Sequence, residues 1–109
     1  YTAGTNGSRI DNILITSTDS SAKDLQFVIT ISATDYIIGT LQVPANSGNT
    51  NAVASLNAFA HSQLTSALNV DVNNNKCLFL ASGAVLKVKA LTTVTSAKVI
   101  SVIAQGGDY

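Results

Sequence analysis

The sequence has no tryptophan and no methionine, and only one cysteine, one histidine and one proline. Glutamate is absent as well, so all six acidic side chains are aspartates. Each shortage closes a route. A single cysteine cannot form an internal disulfide, and its neighbours Leu78, Phe79 and Leu80 predict a buried, inert thiol at Cys77. A small domain without disulfides fits folding in a reducing cytoplasm. With no methionine and a start at Tyr1, the first residue is expected to be something other than a retained initiator.

One histidine and one cysteine fall short of a zinc ligand set, so neither a metal nor a cofactor is expected. His61, among Ala60, Ser62 and Gln63, reads as a surface residue and not a catalytic base. No Gly-x-Ser-x-Gly elbow presents a serine nucleophile. Paired-carboxylate chemistry could draw only on Asp11, Asp19, Asp24, Asp35, Asp71 and Asp108, most of them in or beside turns, where Asp bonds its own backbone. Asp71-Val72-Asn73-Asn74-Asn75 opens like a calcium loop, but Lys76 stands where glycine is needed and Ser82 where the bidentate glutamate belongs. Gly106-Gly107 precedes no helix and so makes no phosphate cradle. The chain is not expected to be an enzyme or to take a small-molecule substrate.

Charge is scarce too, at 11%, and six basic residues cancel six acidic ones. Without a clustered basic face, neither nucleic acid nor an acidic membrane is an expected partner. No apolar run is long enough for a helical membrane span. A net charge of zero leaves a freely diffusing monomer without self-repulsion, a pressure from which an assembly subunit is released.

What the chain does contain is aliphatic, β-branched and small polar residues. Apolar residues make up 46% of the 109, and the mean hydropathy is +0.30, which suits one packed domain over 1–109. Tyr1–Ser8 reads as a turn-rich lead-in around Asn6-Gly7. Arg9–Thr16 is a first strand, with Ile10, Asn12 and Leu14 expected on one face and Asp11, Ile13 and Ile15 on the other. Leu25–Ile31 alternates, interrupted only by Val28, and pairs as a hairpin with Tyr36–Val43. On that second strand Ile37, Leu41 and Val43 share a face with Gly39, whose missing side chain suggests a bulge or close packing. Pro44 ends the strand because it offers no donor.

From Ala52 to Leu64 the period changes: Val53, Leu56, Phe59 and Leu64 recur at near-helical spacing, predicting a short helix over 52–64. Thr65–Lys76 carries no clear signal. The last third holds three β-type runs, Cys77–Leu80, Val85–Ala90 and Lys98–Ala104, followed by a short tail at 105–109. Lys87 and Lys89 share one face of the middle run and read as solvent-facing guards. The fold expected is all-β, an antiparallel, jelly-roll-like β-sandwich with one short inserted helix.

Several stretches then resemble a family of small tailed-phage virion proteins, the capsid decoration, cement or minor capsid proteins. They are Gly4-Thr5-Asn6-Gly7-Ser8-Arg9-Ile10-Asp11 with Thr16-Ser17-Thr18-Asp19, and Asp35-Tyr36-Ile37-Ile38-Gly39-Thr40 with Val43-Pro44. The third runs from Leu80-Ala81-Ser82-Gly83 through Leu86-Lys87-Val88 to Val102-Ile103-Ala104-Gln105-Gly106-Gly107-Asp108-Tyr109, whose end is the most specific piece. The resemblance spans nearly the whole chain except 52–75, and its motifs are turns and strand ends. It implies a multicopy β-sandwich subunit on the outer capsid surface of the virion, assembled in the host cytoplasm. Such a subunit binds the major capsid protein and reinforces the shell, as a homo-oligomer or lattice.

Two of the three tyrosines are the chain ends, and Tyr joins contact area to a polar handle. The expected partner interface is therefore Tyr1, Thr2, Arg9, Asp108 and Tyr109, with Asp108 and Tyr109 removable without loss of the fold. The competing expectation is a carbohydrate-binding or adhesin-type module on a phage tail or cell surface, with Tyr36 and Phe59 as its aromatics. A small hydrolase using His61 stands third.

Overall fold

The computed structural model describes all 109 residues. Eight strands form two antiparallel sheets packed face to face, an all-β sandwich with one short helix. The first sheet is centred on β1 (Ser8–Ser17). On one flank β1 pairs along its length with β8 (Ile100–Asp108). On the other it pairs with β6 (Lys76–Leu80) and with the two-residue β4 (Leu56–Asn57). The two-residue β5 (Asn69–Val70) extends this sheet beyond β6. The second sheet has the order β3 (Thr34–Val43), β2 (Lys23–Ile31), β7 (Val85–Ala90). First strand therefore pairs with last, and second with second-last on the opposite sheet.

Alternation explains most of the core. Leu25 and Phe27 of β2, Leu41 and Val43 of β3 and Leu86 of β7 meet Ile10, Ile13 and Ile15 of β1 and Leu78 and Leu80 of β6. The β2–β3 turn uses Ser32 and Ala33, both at positive φ (49° and 65°), the backbone that tight hairpins require.

Three expectations change. In β1 the ladder with β8 shifts register between Ile10 and Asn12, leaving Asp11 as the extra residue of a bulge. Beyond it the phase inverts, so Ile10, Ile13 and Ile15 all point inward while Asn12 and Leu14 point out. Simple alternation had put Ile10 opposite Ile13. A second bulge in β3, at Ile38, separates Ile37 from Leu41 and Val43: Ile37 is exposed and Ile38 packs on the core.

The helix expected over 52–64 is the third. Leu56 and Asn57 join the sheet instead, opposite Ile15 and Leu14. The Asn57 Oδ1 then accepts from the Phe59 N–H (2.9 Å) and starts a 3-10 turn, Ala58–Ala60. His61 is extended (φ −80°, ψ 131°), and its Nδ1 accepts from the Gln63 N–H (3.3 Å) to begin α1, Ser62–Thr65. Pairing with β1 overrides the periodicity, because Phe59 and Leu64 reach the core without a continuous helix. The α1 turn sits directly on β3: a Cβ on Gly39 would lie 2.7 Å from the Gln63 carbonyl oxygen and 2.9 Å from Leu64 Cδ2. Gly39 thus marks close packing, as its position suggested.

The unreadable 65–76 stretch holds β5 and a turn closed by Asp71, whose carboxylate accepts from the N–H groups of Asn73 (2.9 Å) and Asn75 (2.8 Å). Cys77 is fully buried.

Candidate protein-binding interface

The first and last strands bring the chain ends together. The bulge at Asp11 makes β1 approach β8 closely at Gly106, where a Cβ would lie 2.0 Å from the Arg9 carbonyl oxygen and 2.8 Å from Ile10 Cα. Only glycine fits there. Past that point Ser8 and Asp108 face inward, while Arg9 and Tyr109 face out.

On the outward side three side chains stack. The Arg9 guanidinium lies 5.9 Å from the Phe79 ring centroid, and the Tyr109 ring lies 6.5 Å from it at an interplanar angle of 25°. Phe79 is opposite Arg9 in the β1–β6 ladder, so the cation–π contact is a cross-strand pair. Phe79 is 46% exposed and Tyr109 63%. Arg9 is fixed by two carboxylates, Asp71 (2.7 Å) and Asp11 (2.5 Å). The first of these holds the guanidinium well above its ordinary pKa, and the Arg9 bond in turn brings Asp71 down to about 2, helped by the Asn75 and Asn73 amides. Tyr109 is anchored by its own N–H to the Gly7 carbonyl (3.1 Å) and by the Asn6 Nδ2, which donates to its carbonyl oxygen (3.2 Å).

On the inward side the Asp108 Oδ1 accepts from the Ser8 hydroxyl, the Tyr1 hydroxyl and the Gly4 N–H (3.3 Å). The bonds from Ser8 and then Tyr1 lower the Asp108 pKa, and the bond to Asp108 raises that of Tyr1. Tyr1–Ala3 meanwhile adds beside β7: the Ala3 N–H donates to the Ala84 carbonyl (2.8 Å), the Leu86 N–H donates to the Tyr1 carbonyl (2.8 Å), and Thr2 bridges Val85.

The five expected interface residues therefore gather at one end of the sandwich but divide by role. Arg9 and Tyr109 belong to an exposed cluster. Tyr1 and Asp108 form a clasp between the chain ends, and Thr2 makes an isolated bridge to the β7 edge. Asp108 is structural, and Gln105–Asp108 is the end of β8, not a loose tail. Removing Asp108 and Tyr109 cannot leave the fold untouched. Phe79, the centre of the cluster, was missed, although its place between the core-facing Leu78 and Leu80 puts it on the outer face.

The opposite end is held by another carboxylate. Asp19 is fully buried and accepts from the Thr95 N–H (2.8 Å) and hydroxyl (3.0 Å) and the Ser21 N–H (3.0 Å) and hydroxyl (2.9 Å), with Lys23 Nζ at 3.6 Å. The Thr95 amide leads these bonds in holding its pKa far below the usual carboxylate range. On the outer face of the second sheet, Lys87 (3.3 Å) and Lys89 (3.1 Å) share Asp35, which also accepts from the Thr30 hydroxyl. Both lysines face solvent, as their spacing predicted.

Tyr36 and Phe59 do not meet: Tyr36 is half exposed on β3, whereas Phe59 is buried in the core. A sugar platform built from the two is excluded by that burial. His61 caps α1 through its Nδ1. Compared with family models, with curated proteins and with solved structures, the chain matches none.

Proposed function

We propose that this protein is a structural component of a virion, a decoration or cement subunit that binds the outer surface of a head shell and stabilises it by bridging capsid subunits. Its role is adhesive, and its partner is the major capsid protein. The observation that carries the reading is the Arg9–Phe79–Tyr109 cluster. Arginine and aromatics on a rigid sheet, with the charge already countered by Asp11 and Asp71, offer contact area at little cost in ordering. Those residue types dominate the binding energy of protein interfaces. The resemblance of the Gly4–Asp11 and Val102–Tyr109 segments to phage decoration proteins supplies the class of partner. Many weak copies on a lattice add up through multivalency, and a subunit that binds only the assembled shell shifts the equilibrium toward it.

The test is co-sedimentation with undecorated shells. The native protein should bind in fixed stoichiometry and raise the temperature at which shells rupture, and F79A and Y109A should bind much less. Shells that neither take up the protein nor gain heat resistance would sink the reading.

A further inference from the structure

Natural sheets blunt their free edges, and this one blunts all but one. The outer edge of β3 is interrupted by the Ile38 bulge and carries Asp35. The edge of β7 is half occupied by Tyr1–Ala3, with Lys87 and Lys89 along the strand. β4 and β5 are two residues each. β8 has no such device. It is nine residues long, nearly every residue is exposed, and no charge, proline or bulge of its own interrupts Val99–Gly107.

Its backbone parity is fixed at both ends. The Val99 N–H donates to Thr18 Oγ1 (2.9 Å) and its carbonyl accepts from the Thr18 N–H (2.9 Å), while the Tyr109 N–H donates to the Gly7 carbonyl. Odd residues therefore turn their polar groups to β1. The N–H and C=O groups of Ile100, Val102, Ala104 and Gly106 face away from it, and no backbone partner beyond the sheet is found for them.

The ends of the strip are complementary in charge. Lys98 has no carboxylate partner in the chain. Asp108 has no cation: its three donors all converge on Oδ1 and leave Oδ2 free. Lys98 lies just before β8, its N–H closing a turn on the Thr95 carbonyl (2.9 Å), and Asp108 is the last residue of the strand.

From this we infer that β8 is the interface with a second copy of this chain, the two β8 strands pairing antiparallel about a two-fold axis at Ile103. This register sets Lys98 against Asp108 of the other copy at both ends. It pairs Val102 with Ala104 and Ile100 with Gly106 through the outward backbone groups, and it places Ser101 beside Gln105 and Ile103 against itself. A two-fold contact has to be self-complementary, and this one is so in hydrogen bonding, apolarity and charge. The two sheets then run on as one across the dimer. The pairing stands on the strand alone and not on the virion reading, so a dimer that ignores capsid shells leaves it intact.

Analytical ultracentrifugation of the full chain over a concentration series tests it. The native protein should show a monomer–dimer equilibrium. I103K, which sets two lysines face to face, should be monomeric with an unchanged circular dichroism spectrum. K98D, which places two like charges at each end, should weaken the dimer several-fold, less so in high salt. Ile103 faces itself in a non-hydrogen-bonded pair, where Cα atoms approach to about 4.5 Å, within disulfide reach. Under oxidation I103C should therefore cross-link to itself and S101C should not. A native chain that stays monomeric at the highest concentration, an I103K variant that still dimerises, or cross-linking by S101C in place of I103C overturns the inference.

Discussion

The two ends of this sandwich are each held by one aspartate, and they are held differently. Asp19 sits in full burial and gathers Ser21 and Thr95 from two separate loops. Asp108 is exposed and gathers Tyr1, Gly4 and Ser8 at the chain ends, beside the Arg9–Phe79–Tyr109 cluster. Both carboxylates are bound by neutral donors at short range. Burial separates the two acceptors: Asp19 lies out of water and takes four bonds, whereas Asp108 is exposed and takes three. One end is scaffold. The other holds the exposed Arg9–Phe79–Tyr109 cluster in place.

The largest expected effect breaks the buried end. Asp19→Ala should lower the melting temperature by about 10 °C or more, as measured by calorimetry, because four donors lose their acceptor together. A change of a degree or two would mean that the two ends are alike after all. Next comes Gly106→Ala, which drives a Cβ into the Arg9 carbonyl and should destabilise the fold by about 1–2 kcal/mol in denaturant titration. Unaltered stability would show that the bulge gives way without loss.

Acid probes both ends at once. Asp19, Asp71 and Asp108 are all held below their ordinary pKa in the fold, so their ionised forms stabilise the folded state. That contribution is complete above about pH 4 and is lost as the pH falls toward the folded-state values, about 2 for Asp71. Stability measured from pH 6 downward should decline below about pH 4, and Asp19→Asn should flatten the decline more than Asp108→Asn does. The smallest effect on stability belongs to Phe79→Ala, expected within about 1 kcal/mol for a side chain so exposed. On the proposed function that variant should nonetheless bind shells much less, which would separate the proposed contact surface from the scaffold.

The sequence made much of this legible, and the exceptions have a common cause. The β2–β3 hairpin, the Asn6-Gly7 and Ser82-Gly83 turns and the outward lysines of β7 all follow from local chemistry. The β1 faces, the position of Ile37 and the helix over 52–64 did not, because a bulge or a distant strand decided each. The candidate interface was half legible. Arg9 and Tyr109 were found from residue type. Phe79 was hidden in an apolar run, and nothing local shows that Tyr1 and Ser8 surround Asp108.

By itself, then, the sequence determined the class. Alternating β-branched runs bounded by turn residues specify an all-β chain, since strand period and turn chemistry are local properties. Tertiary structure alone decided what the chain ends do. Residues a hundred positions apart meet only once β1 and β8 pair, and the bulge opposite Gly106 settles which of them face the core and which face outward. Pairing between distant strands depends on the whole sheet, and no local window contains it.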